Sequence, residues 1–180
     1  MLHTTTPAYI TEPILHFCKR INPTSSPVFL DVVKTRYAVE KACFSNVKFH
    51  VLDNGGSKQL GWIVWETPGI LIEAELHAVW ITPDGKLRDI TPQLDGEKRI
   101  LFLPDDTAVE PVDYDAVAHK NHRLALIEDP LMDDAIRAME ELDAIRARTG
   151  ILVDDTDLGK MSEIRNRITQ LNAAILAKYR

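Results

Sequence analysis

Nothing in this sequence reads as an address or an anchor. The N-terminal stretch "MLHTTTPAYITEP" has no basic start followed by a long apolar run, so no secretory signal is expected. The apolar-rich run "GILIEAELHAVWI" (69–81) is too short to span a bilayer and carries two glutamates. Cysteine is scarce. Cys18 and Cys43 are the only two, and without an export signal they are expected to be free thiols in a cytoplasmic protein. A basic surplus is missing as well. Residues 1–100 hold 11 Lys+Arg against 11 Asp+Glu, and residues 101–180 hold 10 against 16, so the whole net charge of -6 lies in the C-terminal part. That balance argues against a nucleic-acid partner and for a solvated acidic surface. The Gly-x-Ser-x-Gly elbow of serine α/β-hydrolases is absent, as are internal repeats and low-complexity tracts. No membrane partner, metal or organic cofactor is expected.

What remains is an ordinary globular composition, 45% hydrophobic and 27% charged, in 180 residues, which is enough for one core with an appendage. "ITEPILHFCKRIN" reads as a short helix with Pro13 in its first turn. "VFLDVV" fits either a strand or a helix start. "EKACFSNVKFHVLDNGG" reads as a helix stopped by Asn54-Gly55-Gly56. Alternating and β-branched runs follow at 61–66, 69–81, 86–90 and 98–103, separated by Pro-Gly, Pro-Asp-Gly and Asp-Gly turns, the pattern of an antiparallel sheet. After residue 104 the chain is irregular as far as Asp129, which caps a helix with Pro130 just inside it and Gly150 beyond its end. A second helix carries Leu158, Met161, Ile164, Ile168, Leu171 and Ile175 on one stripe. The expected fold class is α+β: a helix bearing Cys43 on a small antiparallel sheet (residues 1–104), then an irregular segment and a helical hairpin (105–180). The hairpin is expected to pack on that core or to form a homodimer through residues 130–178.

Chemistry enters through "LHAVWITPDGKLRDITP" (76–92). Pro83, Asp84 and Gly85 favour a type I turn closed by a left-handed glycine, which pairs Thr82 with Lys86. In that register Val79 faces Asp89 and His77 faces Thr91, so His77 and Asp89 share a sheet face as diagonal neighbours. A two-residue loop would pair Trp80 with Asp89 and separate them. The thiol best placed to join them is Cys43. It falls at a helix start, where unpaired N–H groups and the helix dipole favour a thiolate and can hold an oxyanion. Cys18 lies inside the first helix beside Phe17 and reads as an inert core thiol.

The order of cysteine at a helix start, histidine on a strand and aspartate on the next strand resembles the papain-like superfamily of cysteine peptidases and amidases. "CFSNV", "LHAVWIT" and "LRDITP" look most like NlpC-type amidases, transglutaminase-like proteins and N-terminal glutamine amidohydrolases, over roughly residues 37–103. The resemblance implies Cys43 as nucleophile, His77 as general base and then acid, and Asp89 as the group that orients His77. It implies a peptide or protein amide as substrate. The upstream glutamine that often serves such enzymes as oxyanion donor has no counterpart; Tyr37 and Arg36 are the candidates to replace it. His50, on the face of the Cys43 helix, reads as structural. A Cys43, His50, His77 and Asp89 zinc site has an unusual ligand spacing. Trp62, Trp65 and Trp80 read as sheet packing. Glu75 reads as a solvated strand residue. A competing reading makes the chain a non-catalytic interaction protein, or a degenerate enzyme, with the C-terminal helices as its binding surface.

Overall fold

In a computed structural model, residues 4–93, 96–110, 120–149 and 153–179 are described. Four helices and a six-stranded antiparallel sheet give an α+β fold that ends in a helical pair. The elements are α1 (Glu12–Ile21), β1 (Val28–Asp31), α2 (Cys43–Asn54), β2 (Ser57–Thr67), β3 (Leu71–Ile81), β4 (Leu87–Arg88), β5 (Arg99–Pro104), β6 (His122–Ala125), α3 (Pro130–Thr149) and α4 (Asp155–Tyr179). Strand order is β1-β5-β2-β3-β4, with β6 on β3. The ambiguous "VFLDVV" is a strand, paired from Val28 with Phe102 to Asp31 with Arg99. β6 was not expected. "HRLA" is short and carries no β-branched residue, so its strand state comes from its partner rather than from propensity.

The chain forms two compact units. One holds 6–65 and 74–110. The other holds 4–5, 66–73, where β2 turns into β3, 120–149 and 153–179 among the described residues. In the first unit, Leu30, Ile63, Val79, Ile100 and Phe102 make one core cluster. Cys43, Val47, Ala78 and Ile90 make another, which Trp80 and Leu60 border. Trp80 anchors to α2: its ring meets His50 edge-on at 4.5 Å, and its Nε1–H donates to the Gly55 carbonyl at 2.9 Å.

The hairpin from β3 to β4 has the turn its sequence specifies. The Gly85 N–H donates to the Thr82 carbonyl at 2.8 Å, and the Thr82 N–H donates to the Lys86 carbonyl at 2.9 Å. Gly85 sits at φ 81°, a left-handed conformation that glycine adopts without a Cβ clash. Trp80 pairs with Arg88 and Ile81 with Leu87, the register derived from the turn. The regular ladder is shorter than expected and stops at Arg88. Asp89 leaves it to form a parallel bridge with Val32. There the Asp89 N–H reaches the Asp31 carbonyl at 3.2 Å, and the Val33 N–H reaches the Asp89 carbonyl at 2.7 Å. The two ends of the sheet order are thus tied together at Asp89.

In the second unit α3 and α4 are antiparallel. Met132 and Ala135, early in α3, share a cluster with Ile175, late in α4. Leu142 and Ile145, late in α3, share one with Met161 and Ile164, early in α4. The Asp129 carboxylate accepts the Leu131 N–H at 2.8 Å, as its capping role requires. Leu158 departs from the expected stripe and is half exposed. Of the large apolar side chains on these helices, only Leu158 and Tyr179 are exposed among the described residues. The apolar seam between α3 and α4 is therefore largely buried within one chain.

Candidate active site

The site begins where α2 begins. Lys41 has a left-handed backbone (φ 61°), and Ala42 is the residue before the helix, so the chain turns sharply and Cys43 becomes the first helical residue. No side chain caps this end, and the first turn holds no acidic residue. The N–H groups of the first turn have no intrahelical acceptors. Cys43 is 8% exposed.

His77 comes from β3 and Asp89 from just beyond β4. The His77 Nε2 lies 3.1 Å from an Asp89 carboxylate oxygen, and both side chains are buried. Asp89 is fully enclosed but has no shortage of donors. The same oxygen accepts the Thr91 N–H at 3.0 Å, and the other accepts the Gln93 amide at 2.8 Å. With Asp89 as an acceptor, the Nε2–H tautomer is the one that satisfies both groups, which leaves Nδ1 free for a second partner. Cys43 is within hydrogen-bond reach of His77. Burial works against a charged imidazole here, but the Asp89 carboxylate and the Cys43 sulfur outweigh it and hold the His77 pKa well above its ordinary value. The Phe102 ring meets His77 edge-on at 6.4 Å and fixes its other side.

Three supporting residues had no role in the sequence reading. Asn46, one turn after Cys43, is buried; its amide donates to the Val39 carbonyl at 2.8 Å and accepts the Val39 N–H at 3.0 Å. It also donates to the Thr91 hydroxyl at 3.1 Å. Asn46 therefore clamps the loop before α2 to the segment that carries Asp89. The signals present were the Cys-x-x-Asn spacing and the derived pairing of His77 with Thr91. Gln93 had no signal, because it acts across a turn containing Pro92.

The remaining candidates are placed as follows. Tyr37 and Arg36 lie on the exposed loop between β1 and α2, with the guanidinium 5.3 Å from the Tyr37 ring centre. His50 packs on Trp80, and its Nδ1 lies 3.3 Å from the Asn54 amide, which is the structural role expected. Glu73 pairs with Arg123 at 2.7 Å, and Glu75 is exposed. Cys18 is fully buried in α1, and burial pushes its thiol up to about 12. Both cysteines are free. Among the described residues, no group of three or more His, Cys, Asp or Glu is arranged to hold a metal ion, and no helix is long and apolar enough to cross a membrane.

An imidazole held between a thiol and a carboxylate, with backbone N–H groups at the thiol's own helix end, has the parts needed for nucleophilic acyl chemistry. Comparison with known proteins adds no relative: no protein-family model, curated protein or solved structure matches this chain.

Proposed function

We propose that the protein is a cysteine-dependent amide hydrolase or acyltransferase of papain-like type, with Cys43, His77 and Asp89 as its triad. One observation carries this reading: a buried His77 bonded to Asp89 through Nε2, with Cys43 within reach of the same ring. In the reaction the Cys43 thiolate attacks the carbonyl carbon of an amide. The oxyanion that forms is held by backbone N–H groups at the start of α2, with the Tyr37 hydroxyl as the side-chain donor. The protonated His77 gives its proton to the leaving nitrogen as the C–N bond breaks, and a thioester remains on Cys43. Neutral His77 then takes a proton from water, which attacks the thioester, releases the acid and regenerates the thiol. An amine in place of water completes acyl transfer by the same steps. Asp89 orients the ring and stabilises the imidazolium without itself taking the proton. Two free thiols fit a reducing compartment such as the cytoplasm.

A second reading has its own observation. Cys43 and His77 are only 8% and 6% exposed, which suits a packed structural trio in a non-catalytic binding protein. Iodoacetamide labelling of the native chain across pH, read by mass spectrometry, separates the two. A catalytic pair gives label on Cys43 well below pH 8 while Cys18 stays unlabelled. Label on Cys43 only after unfolding, or on Cys18 first, rejects the triad.

A further inference from the structure

Beside the triad lies an open groove of about 910 Å³. Ala42, Ser45, Asn46, Phe49, His50 and Asp53 line one side of it. Their spacing is that of a single helical face. Cys43 and Val47 sit one position round the helix, in the cluster with Ala78 and Ile90. The groove therefore runs along α2 with the nucleophile bordering its N-terminal end. Its other wall is the loop from Val33 to Val39. That loop is pinned at both ends to the site, by the Val33 N–H on the Asp89 carbonyl and by Asn46 on Val39.

Two features of the groove bear on what it could hold. Tyr37, Val39 and Phe49 are 76%, 59% and 61% exposed, too much apolar surface in one place to be ordinary scatter. Lys34 and Arg36 also line the groove, and among the described residues neither forms an ion pair. Lys34 directly follows Val33, whose N–H bonds the Asp89 carbonyl, so this positive charge starts from the triad end of the loop. The one acidic residue of the lining among the described residues, Asp53, is ten residues along the helix from Cys43, about 15 Å away.

Resting on the reading of Cys43 as a nucleophile, we infer that this groove seats the acyl side of an anionic peptide substrate, with an apolar side chain over Tyr37, Val39 and Phe49 and a neighbouring carboxylate at Lys34 and Arg36. The apolar strip supplies contact area, and the two cations choose the charge. Asp53 repels a second carboxylate at the far end.

The test has two arms. In the first, Cys43 of the native chain is alkylated by iodoacetate and by iodoacetamide, a pair that differs in charge, with each rate divided by that of the unfolded chain. The ratio is expected to favour iodoacetate by about fivefold, to shrink in high salt, and to fall toward one in the Lys34→Gln/Arg36→Gln double variant. In the second arm, the Cys43→Ala chain is titrated with dansyl-Ala-Leu-Glu-Ala-amide and with its Gln counterpart. The Glu peptide is expected to bind about fivefold tighter, and the double variant to bind the two equally. Equal binding of the two peptides to the Cys43→Ala chain overturns the inference. So does a groove that binds neither because a second copy of the chain fills it, seen as a dimer by light scattering. Failure of both reagents to label Cys43, with the peptide preference intact, rejects the thiol-hydrolase reading and leaves the charge preference of the groove standing.

Discussion

Asp89 and Asp143 are both buried carboxylates, one beside His77 and the other beside Arg123. The two clusters use similar groups and are finished differently. Around Asp89 every donor has an acceptor: the His77 ring, the Thr91 N–H and the Gln93 amide all point at the carboxylate. Around Asp143, the Arg123 Nη1 lies 2.8 Å away without hydrogen-bond alignment, and Nη1, Nε and the facing carboxylate oxygen have no hydrogen-bond partner among the described residues. Arg123 reaches Glu73 as well, at 2.7 Å, and so ties β6, the start of β3 and α3 by charge. A buried ion cluster is therefore not in itself evidence of a site. The cluster around Asp89 differs in having a thiol beside the ring, and in fixing that ring by directional bonds rather than by net attraction.

The largest effects are expected where that difference is removed. Cys43→Ala or His77→Ala should each lower amide hydrolysis by about 10³-fold or more, with cooperative unfolding retained. The double variant should be no worse than the poorer single, because nucleophile and base act as a unit. Asp89→Asn keeps most of the shape but can hold the wrong His77 tautomer. It should leave measurable activity with a shifted pH profile. Full activity in His77→Ala would remove the triad from consideration.

Next in size is the ion cluster around Arg123. Arg123→Met strands Glu73 and Asp143 as facing carboxylates with no counter-ion between them, and should destabilise the chain by about 3 kcal/mol or more in urea unfolding. The triple variant Arg123→Met/Glu73→Gln/Asp143→Leu should recover most of that loss, since the charge it leaves without its partner, Arg146, is half exposed to water. If the single variant unfolds at the wild-type midpoint, the pairing contributes nothing and the contrast with Asp89 fails.

A smaller effect is expected at Asn46. Asn46→Ala releases Val39 and Thr91 but touches neither His77 nor Asp89. It should cost about 1–2 kcal/mol of stability. Any fall in hydrolysis should appear mainly as a higher KM, because the loop it holds forms the groove wall. A fall confined to kcat would place Asn46 closer to the reacting atoms than its bonds indicate.

These differences bear on what was legible in the sequence. His77 and Asp89 were legible as a pair because local turn chemistry fixes a register, and a register fixes which side chains share a face. Cys43 was legible because glycine stop signals and helical spacing locate α2. The α+β class and the α3–α4 pairing followed from periodicity in the same way. The bridge from Asp89 to Val32 was not legible, since it joins residues 57 positions apart through backbone groups that carry no side-chain pattern. β6 was hidden for a similar reason: His122–Ala125 is a strand through pairing with β3 rather than through its own propensity. Gln93 depends on loop geometry, which residue spacing does not encode, and for Asn46 the spacing marked the residue but not the loop that it clamps. The assignment of 66–73 to the same compact unit as α3 and α4 was not legible, because strands that read as continuous in sequence contribute residues to both units.

The smallest effect is expected at Asp129, a third carboxylate, placed at the start of α3. It accepts the Leu131 N–H at 2.8 Å and the Tyr179 hydroxyl at 2.7 Å, and it pairs with Lys178. Hydrogen bonds from Lys178, Tyr179 and the Leu131 N–H, together with the Lys178 charge, hold its pKa down at about 2. A carboxyl whose pKa is lower folded than unfolded stabilises the fold above its unfolded value, near pH 4, and loses that contribution as the pH falls toward its folded value. Asp129→Asn keeps a side-chain oxygen for the cap and removes only the charge. Wild type should therefore be the more stable of the two by a constant margin above about pH 4, and the two urea midpoints should converge as the pH is lowered toward 2.5. A margin that persists unchanged at pH 2.5 would show that Asp129 acts through the shape of its cap, and that the ties from Lys178 and Tyr179 to the start of α3 add no charge-dependent stability.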